Sequence, residues 1–390
     1  MFKPLQGVRI VDLSQVLAGP FATHQLGLMG AEILKIEKPG EGDWTRRGGP
    51  LPELSNRNMA LAYVAHNAGK KSVALDLKKP DDLAQVKQLI ASADVFVENF
   101  KPGVAGRLGL GFDEVRTINP TIVYCSISAY GQDGPLSHRP AYDHVIQGMC
   151  GVMLTTGAPG SGPNKVGAPY IDYATGMNAV SAILAGLLEV KRSGQAVMVD
   201  VAMLDTALML MSSLMTTHKT TGWLPRQSGN EAWSAAPASG AFDTADGVLM
   251  LAANNDAQLK NLCQAIGRED ILHDSRWQSA ALRQDNFQSL RDTLKLVFLE
   301  RSAAHWEDVL DAAQVPAARV RGLDEVLREE QIQARGILSI QHVDGHEGPI
   351  YVPGLAFKAN GANAKASVPA PTLGADTKQI LAELAERDPK

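Results

Sequence analysis

Asp172 stands where a carboxylate could do chemistry: it follows a Gly/Pro-rich stretch, residues 156–169, and directly precedes a helical segment opening at about Ala174. A helix start presents unpaired amide N–H groups whose dipole favours an anion by roughly 0.3–1 kcal/mol. Two roles fit that position, a helix N-cap or a reactive carboxylate held near amide donors, and position alone leaves both open. Other candidates are weaker. The loop Gln15-Val-Leu-Ala-Gly-Pro20 lies between a strand and a helix and could face a phosphate, with Glu37 ending the next strand. It has one glycine where the dinucleotide fingerprint needs three, and Pro20 removes a donor. Gly106-Arg-Leu-Gly-Leu-Gly111 does not sit between a strand and a helix start, and no Walker A sequence is present, which disfavours ATP-dependent ligation. His342 and His346 are four apart, as zinc ligands on a helix would be, but Asp344-Gly345 between them makes a turn. There is no G-x-S-x-G nucleophile elbow, and no metal site is expected.

The elements that must position Asp172 alternate between short β-rich runs and helix-compatible stretches, the pattern of parallel strands joined by crossover helices. Strands are predicted at residues 8–14, 32–37, 72–77, 94–99, 122–128 and 197–201. The first helix should take Pro20 into its first turn, where a missing N–H costs nothing, and stop at Gly30. Residues 40–67 read as an ordered loop excursion. A small-residue helix is expected over 176–191, and a buried, Met-rich one over 204–217. The style then changes: a turn-rich hairpin at 229–253, amphipathic helices over 256–330, a hairpin at 337–354 and a helix at 376–386. The resulting fold class is α/β, a large doubly wound domain plus a smaller α+β domain. The boundaries are residues 1–220, 225–325 and a C-terminal stretch, 326–390, returning to the large domain.

Composition narrows the partners. The 390 residues carry 37 Lys plus Arg against 42 Asp plus Glu, a formal charge of -5 without long runs, so no basic footprint for nucleic acid or an anionic membrane exists. Cys125, Cys150 and Cys263 lie far apart without a C-x-x-C and read as reduced thiols. The N-terminus lacks the apolar core of a signal peptide, and the richest apolar stretch, residues 177–190, falls short of the roughly 20 residues of a bilayer span. A soluble, cytoplasmic protein is expected.

Several motifs, in order along essentially the whole chain, resemble the class III CoA-transferases, the CaiB/BaiF-like family that includes formyl-CoA transferase and crotonobetainyl-CoA:carnitine CoA-transferase. They are Gly7-Val-Arg-Ile-Val-Asp-Leu-Ser-Gln-Val-Leu-Ala-Gly-Pro-Phe-Ala-Thr23, Gly30-Ala-Glu-Ile-Leu-Lys-Ile-Glu-Lys-Pro-Gly40 and Asn67-Ala-Gly-Lys-Lys-Ser-Val-Ala-Leu-Asp-Leu-Lys78. Val97-Glu-Asn-Phe-Lys-Pro-Gly103, Ser126-Ile-Ser-Ala-Tyr-Gly131 and the Leu373-Gly-Ala-Asp-Thr tail continue the pattern.

The resemblance selects Asp172 as the nucleophile that exchanges CoA between an acyl-CoA and a carboxylic acid through an aspartyl anhydride and an aspartyl-CoA thioester. With a reference pKa near ~3.9 such a carboxylate should be ionised at pH 7. CoA and acyl-CoA are then substrates, and no tightly bound cofactor is implied. Carried over as CoA contacts are Val16, Ala18, Lys38, Leu75, Lys78, Asn99, Phe100 and Arg107, the three cations meeting phosphates unless they are ordinary surface charges. Leu17 replaces a glutamine and Ser128 a lysine of formyl-CoA transferase, and its tetraglycine loop has no counterpart, which argues against oxalate and formyl-CoA as substrates. Ser228-Gly-Asn230 and residues 240–248 resemble the branch that moves CoA between succinate and other dicarboxylates. The alternatives are a 2-methylacyl-CoA racemase, which would pair the aspartate with a histidine where this chain has Tyr142 in Pro140-Ala-Tyr-Asp-His144, and a non-catalytic CoA-binding protein. The resemblance also implies a Rossmann-like large domain and an interlocked homodimer.

Overall fold

The computed structural model describes residues 2–232 and 234–387. They form two compact units: residues 2–153, 165–224 and 333–387 in the first, and 154–164, 225–232 and 234–332 in the second.

The first unit is built on a six-stranded parallel sheet, β1 (Arg9–Asp12), β2 (Glu32–Glu37), β3 (Lys71–Ala74), β4 (Val95–Glu98), β5 (Val123–Ser128) and β6 (Val197–Ala202), in the order β3-β2-β1-β4-β5-β6. This is the Rossmann-like doubly wound arrangement, reversing direction between β1 and β4. Successive residues point to opposite faces: Ile10, Ile33, Val95 and Val123 enter one core with the helices Ala18–Leu28 and Tyr170–Ser193, while Val11, Leu34, Phe96 and Tyr124 enter the other. Burial on both faces explains why these strands read as nearly continuous apolar runs. The C-terminal helix Thr377–Arg387 places Ile380 and Leu384 in the second core, and Asp376 accepts the Ser72 amide of β3 at 2.8 Å.

Charge is buried as well. Asp12–Lys70 and Lys35–Asp43 pair at 3.1 Å and Glu37–Arg46 at 2.6 Å, all with side chains at most 2% exposed. They sit beneath the loop after β1: Lys35 Nζ donates to the Ser14 carbonyl at 2.7 Å, and Asp43 accepts the Val16 amide at 3.2 Å. The excursion at 40–67 contains three short helices, Trp44–Arg46, Pro52–Ser55 and Leu61–Asn67, that build this layer.

Two helices differ from expectation. The helix expected at 176–191 spans Tyr170–Ser193, 24 residues, so Asp172 lies inside its first turn rather than ahead of it. By length and composition that helix could cross a membrane, contrary to the shorter apolar stretch read from the sequence, yet only a third of its most apolar window is buried. The Met-rich segment breaks into Met203–Met209, which buries Thr206 and, in a small cluster, Met203 and Ala207, and Ser212–Thr221, which buries nothing; Met209, Leu210 and Met215 are exposed.

The second unit is α+β. Strands β7 (Ser239–Asp243), β8 (Val248–Ala252) and β9 (Ala317–Arg319) form an antiparallel sheet packed with helices around Phe242, Leu290, Phe298 and Trp306. Arg291 lies over the Phe242 ring at 4.5 Å and donates to the carbonyls of Ser239 and Ala241. Residues 154–164 join this unit because Gln227 Nε2 donates to the Thr156 carbonyl at 2.6 Å and the Gly229 amide to that of Gly157 at 2.9 Å. In the first unit, β10 (Leu338–Gln341) and β11 (Ile350–Pro353) make the hairpin expected around His342 and His346. Among the described residues no cluster could hold a metal ion.

Candidate active site

A cleft of about 370 Å³ opens in the first unit past the C-terminal ends of β1, β4 and β5, at the point where the strand order reverses. Parallel α/β sheets bind ligands at that place, because the loops leaving two adjacent strands diverge to opposite faces. Residues 15–18 line it from β1, 99–102 from β4 and 127–129 from β5, joined by Arg139, Pro140, Ala141, Tyr142, Asp172 and Met203.

Backbone clamps hold its floor. Asn99 Oδ1 accepts the Gln15 amide at 2.9 Å while its Nδ2 donates to the Gln15 carbonyl at 2.8 Å, tying the loops after β1 and β4 together. The next residue, Val16, has φ +73°, a left-handed conformation costly for a β-branched side chain. Asp43, anchored by Lys35 and by the amide and hydroxyl of Thr45, accepts the Val16 amide and holds it there. Ala18 opens the following helix.

Asp172 enters from the Tyr170–Ser193 helix. Gly176, one turn on, lies against the Ala18 carbonyl so closely that a Cβ would stand 2.7 Å from it and from the Phe21 ring. Absence of a side chain there brings the carboxylate over the β1 loop. The helix start is capped by Asp143 on the helix Asp143–Cys150: its Oδ2 accepts the amides of Ile171 and Asp172 at 2.7 and 3.1 Å. Gln147 donates to Asp143 Oδ1 at 2.6 Å and is itself anchored by the Val166 amide. Asp172 is therefore not the N-cap, and its carboxylate receives no hydrogen bond or ion pair among the described residues. Burial, then the nearby charge of Asp143, push its pKa up to about 7. Burial thus opposes the full ionisation at neutral pH that the reference value implies.

A second, mainly apolar cavity of about 190 Å³ adjoins the first through Gln15 and Phe100 and is lined by Leu13, Ile36, Leu75 and Leu77, with Lys38 and Lys78 at its edge. The structure thus brings together Val16, Ala18, Asn99 and Phe100 with Asp172, and Lys38, Leu75, Lys78 and Phe100 around the adjoining slot. Arg107 lines neither; it is exposed, on the helix Val104–Arg107 that precedes the slot residue Leu108. Lys38 is paired with Glu41. Leu17 and Ser128 both face the Asp172 cleft. Missed from the sequence are Lys101, Arg139 and Asp143, whose solitary charges carry no spacing signal.

No histidine lines the cleft. Tyr142 occupies the position a racemase would give to histidine, and His144 is exposed, stacked beside Tyr142 with ring centroids 6.4 Å apart. His66, on the helix Leu61–Asn67, meets the Tyr173 hydroxyl at 3.2 Å and the Ala62 carbonyl at 3.0 Å, and burial lowers its pKa to about 4.

The family model described as CoA-transferase family III matches residues 5–377. Mouse succinyl-CoA:glutarate CoA-transferase is 36% identical over 99% of this chain and 87% of its own. Acetyl-CoA:oxalate CoA-transferase of Acetobacter aceti is 34% identical over 99% and 97%. A CaiB/BaiF family protein from Brucella suis superposes with a TM-score of 0.85 at 30% identity, covering 98% of this chain and all of that one. With a cleft that holds an unpaired carboxylate at the switch point of a Rossmann-like sheet and relatives matching from end to end, this chain belongs to CoA-transferase family III.

Proposed function

We propose that the chain moves CoA from a succinyl-type acyl-CoA to a second carboxylic acid, with Asp172 as the covalent nucleophile. The observation that carries this is the undonated Asp172 carboxylate at the cleft's floor. The other carboxylates of this region, Asp12, Glu37, Asp43 and Asp143, are each held by two or more donors, whereas Asp172 has none and its lone pairs are available for attack.

An Asp172 oxygen attacks the thioester carbonyl and the CoA thiolate leaves, giving an acyl-aspartyl anhydride. The thiolate attacks the aspartyl carbonyl, releases the donor's carboxylate and leaves an aspartyl-CoA thioester. The acceptor carboxylate attacks that thioester and expels the thiolate, which then takes the new acyl group and frees Asp172. Every bond broken is matched by one of like energy, so the sequence needs neither ATP nor metal. In this reading Leu75, Leu77 and Phe100 take the adenine end, Lys38, Lys78 and Arg107 the phosphates, and Val16, Ala18 and Asn99 the pantetheine arm. Lys101 and Arg139 at the cleft have no carboxylate partner among the described residues, which suits a donor with a second carboxylate, and the dicarboxylate-specific names of several relatives support the same class.

We place the enzyme in the cytoplasm, on the strength of three buried, unpaired cysteines, and as a homodimer, on the strength of the apolar helix faces a single chain leaves uncovered. The test is incubation with a panel of acyl-CoAs and acceptor acids, followed by mass spectrometry of the Asp172 peptide. An acyl or CoA adduct on Asp172 is expected, and Asp172→Asn should lose turnover. Full turnover in that variant overturns the mechanism, and α-proton exchange without acyl exchange assigns the racemase instead.

A further inference from the structure

Two carboxylates meet at the start of the Tyr170–Ser193 helix, and the donors are shared between them unequally. Asp143 takes three: the amides of Ile171 and Asp172 and the Gln147 side chain, at 2.7, 3.1 and 2.6 Å. Asp172 takes none. A helix start offers its unpaired amides to whatever acceptor lies close, and an Asp in the first turn would ordinarily be stabilised by them.

We propose that Asp143 is a positioning residue for the nucleophile: by occupying the amides of Ile171 and Asp172 it holds the helix start in place and sets its own negative charge beside an Asp172 carboxylate left without donors. This rests on the reading of Asp172 as the nucleophile, and it explains why that carboxylate is reactive rather than merely present. A carboxylate stabilised by amide donors is a weak nucleophile, because attack must give those bonds up. One left bare, beside a fixed negative charge, gains by forming a neutral ester-like bond to an acyl carbon. The Gln147–Val166 contact at 2.8 Å keeps Asp143 from turning away, since its second oxygen is anchored too. Residue 166 belongs to the Gly/Pro-rich stretch before the helix, so that stretch serves to lock the cap.

The groups facing Asp172 bear on the test. Asp143 approaches from one helix, Arg139 and Tyr142 from the segment before it, Lys101 from the loop after β4, and Tyr173 from the same helix, with His66 bonded to Tyr173. Only Asp143 both touches the helix amides and carries negative charge, so its neutralisation should act on Asp172 in one direction.

The experiment titrates Asp172 directly, by carboxyl carbon NMR with Asp172→Asn identifying the signal, in the wild-type enzyme and in Asp143→Asn. The amide oxygen of Asn still caps the helix while the charge is gone. The expected result is a folded variant in which Asp172 titrates about one pH unit or more lower. The acid limb of single-turnover CoA release should move down with it, and Asp143→Glu should restore both. A residue that only capped the helix would change thermal stability and leave the titration where it was. An unchanged Asp172 titration in folded Asp143→Asn overturns the proposal, and Asp143→Ser, a shorter neutral acceptor, carries the same test if the Asn variant does not fold. Failure of the parent reading is separate: Asp172→Asn would then turn over normally, while the titration would still report what Asp143 does.

Discussion

The Asp172 carboxylate shows how a reactive group costs its fold stability. Its pKa is raised to about 7 from 3.8, so between about pH 4 and 7 the folded state holds a proton the unfolded chain has lost. Stability from this group is therefore greatest below about pH 4 and is lost as pH rises from there through about 7, the reverse of a salt-bridged aspartate. Asp172→Asn should accordingly stabilise the protein at pH 8, by ~1–2 kcal/mol after allowing for solvent screening, with the gain vanishing near pH 4. Thermal melts of the two proteins at both pH values check this; equal melting temperatures at pH 8 would contradict the burial of an uncompensated charge. On the proposed mechanism the same residue governs the rate profile, and acyl transfer is expected to fall toward acid pH as the carboxylate protonates.

At the scale of elements, the site depends on two close approaches that small residues permit. Gly176 brings the Asp172 helix onto Ala18, and Gly186, further along, lies with its virtual Cβ 2.8 Å from Val123 of β5. Gly176→Ala should force the helix off the β1 loop, costing about 1–3 kcal/mol and lowering kcat more than it raises KM, because the nucleophile moves while the apolar slot stays. Steady-state kinetics with chemical denaturation separates the two effects. The Val16 conformation is a second such device. Asp43→Asn removes the charge that pairs with fully buried Lys35 and holds the Val16 amide, and is expected to destabilise by about 3–5 kcal/mol. A urea titration showing less than 1 kcal/mol would mean the buried pair does not hold the loop.

For the whole molecule, the uncovered apolar surface is the feature to explain. Met177 and Leu188 on the long helix and Met209, Leu210 and Met215 on the helices after β6 are each at least 38% exposed. Scattered exposed apolar residues are ordinary, but consecutive helices presenting them mark a surface meant for a partner. In the proposed homodimer a second copy covers it. Leu188→Glu combined with Met209→Glu should convert a dimer into monomer or aggregate in sedimentation velocity, while that double variant as a stable, active dimer would move the interface elsewhere.

Much of this was legible along the chain. Alternating runs of apolar β-formers and helical stretches determined a parallel α/β sheet, since both faces of each strand must be buried, and the ordered motifs selected Asp172 and, of the residues lining the two cavities, Val16, Ala18, Lys38, Leu75, Lys78, Asn99 and Phe100, along with Arg107, which lines neither. Local signals reached their limit where partners are distant in sequence. Asp172 looked like a helix cap because caps and nucleophiles share a position. Only folding showed that Asp143, 29 residues earlier, already fills the cap. The second half of the Met-rich segment, from residue 212 on, looked like core because composition reports how apolar a segment is, not what covers it. The sequence alone determined which residues could do the chemistry; the tertiary structure decided which carboxylate was left without a donor, because hydrogen-bond partners are allotted in space.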